Sequence, residues 1–120
     1  MLLVCGSRKK YSDEQKTAIS TRIVEKIIEM DAKYGDESTE IVEGCCKGSP
    51  DVFAEEFSKA FPPIKIHHHP AVAGNNLRRN LEMVELADEC LCFWDGYSYG
   101  TAFTIAHCVI KGIPVEVVRV

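Results

Sequence analysis

The sequence predicts an α/β, Rossmann-like three-layer sandwich: a parallel five-stranded sheet of order 3-2-1-4-5 with helices on both faces. Three observations carry this. Short apolar runs alternate with helical patterns along the whole chain, and strands joined through helices are parallel pairs linked by crossovers. The run Glu89 to Trp94 is apolar almost throughout, as expected for a central strand covered on both faces. The glycines gather just after the apolar runs, at Gly6, Gly44, Gly48, Gly96 and Gly100, where strands turn into helices.

Taken in order, Leu2 to Cys5 is a buried strand ended by Gly6-Ser7-Arg8. Ser12 is an N-cap with Gln15 as its capping-box partner. The helix runs to about Tyr34 with Ile19, Ile23, Ile27 and Met30 as its apolar stripe, widened by Ala18, Val24 and Ile28, and Gly35-Asp36 ends it. Thr39 to Glu43 is a second strand. Gly48-Ser49-Pro50 opens a second helix, Asp51 to Ala60, stopped by Pro62-Pro63. Ile64 to His68 is a third strand, and Asn76 to Ala87 a third helix carrying Leu77, Leu81, Val84 and Leu86. Glu89 to Trp94 leads through an Asp95-Gly96 turn into a fourth helix, Thr101 to Lys111, which Gly112 stops. Pro114 to Val118 closes the sheet.

Length and composition set bounds. The 120 residues make one domain, 1–120, with 46% hydrophobic and 27% charged residues and a formal net charge of −4. An acidic chain of this kind is a poor general nucleic-acid coat, although a local basic site remains compatible. No apolar run approaches the ~20 residues of a membrane span. The opening Met1-Leu2-Leu3-Val4-Cys5-Gly6 reads as a strand and not as a secretory leader, so a cytoplasmic protein is expected. The six cysteines, Cys5, Cys45, Cys46, Cys90, Cys92 and Cys108, have neither disulfide-scaffold nor zinc spacing and read as small, reduced, buried side chains.

The strand order places a crevice between strands one and four, where the loops Gly6-Ser7-Arg8 and Asp95 to Thr101 meet. Ser98, Gly100 and Thr101 offer hydroxyls and backbone N–H groups at a helix start, an anion-binding arrangement. Arg79 and Asn80 sit one turn into a helix whose start faces the same crevice. Arg79 offers two-point recognition of phosphate or carboxylate, and its neighbour Arg78 points elsewhere. Asp95 is a candidate catalytic base or ribose acceptor, with turn-capping as the alternative role. Asp51 fits an N-cap. In His67-His68-His69, alternate side chains of a strand face opposite ways, so the three cannot share one site. Trp94 packs under the fourth loop, while Tyr97 and Tyr99 could stack on a base.

Five pieces in one order resemble the SLOG superfamily of DNA-processing (SMF/DprA) and cytokinin-activating (LOG) proteins, especially its small stand-alone YspA-like members. They are Gly6-Ser7-Arg8, the stretch Glu43-Gly44-Cys45-Cys46-Lys47-Gly48-Ser49-Pro50-Asp51, Pro70-Ala71, Arg79-Asn80, and Asp95-Gly96-Tyr97-Ser98-Tyr99-Gly100-Thr101. The resemblance implies a nucleotide-binding domain whose ligand contacts include Gly6, Ser7, Arg8, Gly44, Lys47, Gly48, Arg79, Asn80, Asp95, Gly96, Ser98, Gly100 and Thr101. The chain departs from the LOG pattern at Thr104, where that branch has the glutamate of its nucleotide-hydrolysing machinery. The expectation is therefore a protein that senses or sequesters a nucleotide or nucleotide-derived ligand. A hydrolase of N-glycosidic or phosphoester bonds using Asp95 or Glu43, and a single-stranded DNA binder, are the alternatives. No cofactor and no metal are expected. The partner is a small molecule, with a homodimer as an open alternative and neither nucleic acid nor membrane.

Overall fold

A computed structural model describes residues 1–35, 39–44, 64–72 and 74–120. The strands are β1 (Leu2–Gly6), β2 (Ile41–Glu43), β3 (Ile66–His68), β4 (Glu89–Trp94) and β5 (Val115–Arg119), and the helices are α1 (Asp13–Tyr34), α2 (Asn76–Leu86) and α3 (Tyr99–Lys111). All neighbouring strands are parallel, in the order β3-β2-β1-β4-β5. The fold is thus the expected one, with β4 beside β1 in the middle. The helix expected over Asp51 to Ala60, together with Lys47, Gly48 and the Cys45-Cys46 pair, lies outside the described residues.

Alternation along the strands divides the core into two layers. Leu2, Val4, Ile41, Leu91 and Phe93 face α1 and pack on Ile19, Ile23, Ile27 and Met30. Leu3, Cys5, Val42, Cys90 and Cys92 face the other way, onto Met83, Val84 and Cys108 of α2 and α3. Helix α1 begins as its sequence dictates: Gln15 N donates to the Ser12 hydroxyl at 3.1 Å, and Ser12 N donates back to the Gln15 side chain at 3.0 Å. It ends at Gly35, whose φ of 66° is the left-handed conformation that glycine adopts without cost.

Two apolar stripes are narrower than the sequence implies. In α1, Ala18 and Ile28 are exposed and Val24 is half-buried. In α2 the buried side is Arg79, Met83 and Val84, while Leu77, Leu81 and Leu86 stand on the flank at 36–48% exposure. A single sheet face touches only a narrow arc of each helix, so apolar residues one step off that arc stay in solvent. Boundaries also move by a residue or two: α3 starts at Tyr99, β2 at Ile41 and β3 at Ile66.

At the N-terminal edge of the sheet, α1 is fixed by charge. Glu89, nearly buried at the start of β4, receives Lys26 Nζ at 3.0 Å, Lys33 Nζ at 3.0 Å and the Tyr34 hydroxyl at 2.8 Å. Arg22 makes a two-point pair with Glu116 of β5, at 2.6 and 2.5 Å. Burial alone would raise the Glu89 pKa, but the hydrogen bonds from Lys26, Tyr34 and Lys33 outweigh it and hold the carboxylate at about 2. A carboxylate depressed in this way stabilises the fold above its ordinary value of 4.5, and that stabilisation is lost as pH falls from 4.5 through 2. Glu89→Gln is expected to lower the unfolding free energy by about 3 kcal/mol at neutral pH and by less than half as much near pH ~3. Urea unfolding across that pH range measures it, and a difference constant with pH would show that the ion pairs do not carry the effect.

Candidate functional site

The central pairing of β1 and β4 runs from Leu2↔Glu89 to Gly6↔Phe93. It delivers the loops that follow both strands to the same end of the sheet, at the point where the strand order reverses. A cavity of about 280 Å³ opens there. Its walls come from Cys5 to Arg8 at the end of β1, from Asn76, Arg79, Asn80 and Met83 of α2, and from Ser98, Gly100, Thr101 and Thr104 around the start of α3. Among the described residues the lining holds two arginines and no acidic side chain.

Ser7 is the keystone between the two loops. Its N–H extends the sheet ladder to Phe93 O at 2.8 Å, its carbonyl accepts from the Tyr11 hydroxyl at 2.5 Å, and its hydroxyl accepts from Asp95 N at 3.0 Å. Asp95 then folds the fourth loop onto itself. Its carboxylate accepts from Tyr97 N and Ser98 N, each at 2.8 Å, and from the Ser98 hydroxyl at 3.0 Å. The backbone hydrogen bonds from Ser98 and Tyr97 hold the Asp95 carboxyl down at about 2. Asp95 does not line the cavity. Of its two roles, the geometry favours the capping one: a carboxylate so stabilised in its charged form is a weak base.

Trp94 lies beneath this loop and donates its indole N–H to Ser98 O at 3.0 Å. Tyr97 and Tyr99 point outward, 88% and 72% exposed. Gly96 takes a φ of 88°, and a Cβ there would lie 2.3 Å from the Arg119 guanidinium. Its part is in the turn and not in the cavity lining.

Arg79 is 5% exposed, whereas Arg78 stands in solvent, as the helical geometry requires. The Arg79 guanidinium donates to Gly44 O at 2.6 Å, to the Asn80 side-chain oxygen at 2.8 Å and to the Asn76 side-chain oxygen at 3.5 Å. It thereby ties α2 to the end of β2 while forming part of the cavity wall. Asn80 continues the chain of contacts by donating to Gly100 O at 3.4 Å. Gly44 accepts the Arg79 hydrogen bond through its carbonyl and is not part of the lining. Thr101 is buried against the cavity at the first turn of α3, and its hydroxyl makes no hydrogen bond among the described residues. Thr104, also in the wall, donates its hydroxyl to Gly100 O at 3.0 Å.

The histidine run forms three separate pairs along the edge strand β3. His67 Nε2 lies 3.3 Å from Glu40, His68 Nδ1 contacts the buried Glu43, and His69 Nε2 lies 2.6 Å from Glu82. Each ring lies beside its own carboxylate, with His67 Nε2 making no hydrogen bond among the described residues, where the three rings share no centre; Glu43 is not part of the cavity lining.

Three lining residues were not singled out by the sequence: Cys5, Asn76 and Met83. Cys5 belongs to a group of thiols with Cys90 and Cys92, their sulfurs within 4.8 Å of one another. None of the three is in a disulfide, nor is Cys108, and all are buried. The expectation that the cysteines serve no metal rested on spacing along the chain. The group is instead assembled across strands, by the Cys5↔Cys92 register. Compared with protein-family models, curated proteins and solved structures, the chain matches none.

Gly96→Ala is expected to cost about 1–2 kcal/mol, the penalty for a side chain in left-handed backbone. Chemical denaturation measures it, and an unchanged midpoint would mean that the turn relaxes to another conformation.

Proposed function

We propose that the cavity binds the phosphate-bearing part of a nucleotide or nucleotide-derived molecule, and that the protein senses or sequesters this ligand without hydrolysing it. The observation that carries the reading is the lining: two arginines, hydroxyls at the start of a helix, and no carboxylate among the described residues. Such a wall favours an anion by charge, by the helix dipole and by open N–H groups. A volume of about 280 Å³ is at the small end of ligand pockets and suits a phosphoribosyl-sized group. The likeness to the SLOG superfamily in Gly6-Ser7-Arg8, Arg79-Asn80 and Gly100-Thr101 agrees with this, since the described ones of these segments border the same cavity.

Calorimetry with a panel of nucleoside mono- and diphosphates tests the binding. Thr101→Val removes a hydroxyl and keeps the backbone donors, and is expected to weaken affinity by about 1 kcal/mol. Arg8→Ala removes a charged donor and is expected to cost about 1.5–3 kcal/mol. Unchanged binding in both variants would place the ligand elsewhere.

The reading without turnover rests on Thr104. Its hydroxyl is already donated to Gly100 O, and a threonine proton is held too tightly to make it a general base at neutral pH. Incubation with nucleoside monophosphates, followed by chromatography, is expected to yield no free base. Steady multiple-turnover release would replace the binder with an enzyme.

A further inference from the structure

Cys5, Cys90 and Cys92 are brought together on the α2–α3 face of the two central strands. Cys5 and Cys92 are paired residues in the β1–β4 register, and Cys90 lies two residues before Cys92 on the same face. The Cys5 sulfur lies 2.9 Å from that of Cys92 and 3.8 Å from that of Cys90, and the whole triangle closes within 4.8 Å. An ion bonded to three sulfurs at ~2.3 Å in one plane needs a triangle with edges of ~4 Å. The two Cys5 edges are shorter than that value and the third lies within 4.8 Å, so the triangle must open by about 1 Å at Cys5–Cys92 to enclose an ion.

We propose that these three thiols form a binding site for a soft monovalent cation of the Cu(I) class. Sulfur-only donor sets select soft ions, and hard cations such as Mg²⁺ find no oxygen donor in this group. Coordination number separates Cu(I) from zinc: zinc takes four ligands in its usual tetrahedron, whereas Cys5, Cys90 and Cys92 close a three-sulfur triangle and Cys108, beside Cys90, lies outside it. The sulfurs ligate as thiolates, so each ligand gives up its proton to solvent on binding. The ion keeps its oxidation state, and the only exchange is proton for metal.

Cys5 forms part of the cavity wall, whereas Cys90 and Cys92 are fully buried behind it.

The experiment is anaerobic titration of the reduced full chain with Cu(I) against a coloured Cu(I) chelator, followed by X-ray absorption at the copper edge. The expected result is one tightly held Cu(I) per chain with three sulfur neighbours. Cys5→Ser and Cys92→Ala are each expected to weaken it by about 100-fold or more, beyond the usual effect of losing an outer partner. Cys5→Ser, at the cavity wall, is the milder change. It decides the matter if Cys92→Ala melts early by circular dichroism. The Cys45→Ala/Cys46→Ala double variant is expected to retain the ion. Failure of the wild type to hold copper against the chelator overturns the proposal. So does copper retained in both triangle variants, displacement by an equal amount of Zn(II), or a Cys5–Cys92 disulfide in the anaerobically purified chain.

Discussion

The parallel pairing of β1 with β4 is the contact on which the remaining structure depends. Two strands separated by more than eighty residues align from Leu2↔Glu89 to Gly6↔Phe93. The pairing sets three things at once. It closes the middle of the sheet, so that α1 covers one face and α2 with α3 the other. It brings Ser7 to Asp95 and so joins the two loops at the cavity. It also sets Cys5 opposite Cys92. A slip of one residue would turn every one of these side chains to the opposite face. The ion pairs of Glu89 at the other end of β4 work against such a slip, because they hold the strand's first residue to α1.

Charge in the cavity is handled differently at its two sides. On the α2 side, Arg79 is buried and already engaged by carbonyl oxygens, which fix its plane and direction. On the α3 side, polarity comes from the helix start and from Thr101, without a formal charge. A fixed cation facing a fixed dipole forms a preorganised wall: its geometry is set by folding and not by an arriving molecule.

The sequence made the fold legible because its signals were local and mutually consistent. Apolar runs, glycine turns and the Ser12–Gln15 capping box each depend on a few neighbouring residues, and all point to the same alternating chain. The crevice was legible for the same reason, since strand order alone locates it. What was hidden depends on register or on the exact arc of a helix. Leu77 and Leu81 look like core residues until the sheet presses on Met83 and Val84 instead. Asp95 looks like an available base until the backbone of its own loop closes around it. The thiol triangle needs two strands in a particular alignment, and no spacing within one segment encodes that.

Trp94 is the chain's single tryptophan, and its indole N–H is bonded to the carbonyl of Ser98, the residue that caps α3. An indole's emission energy responds to the polarity and hydrogen bonding around its ring. This ring therefore sits next to the first turn of the helix at the cavity, and nothing else in the molecule emits as it does. The protein carries its own optical gauge of that helix start, legible without a label, and a rearrangement of the loop between Asp95 and Thr101 would register there as a change of colour before it registered in the shape of the sheet.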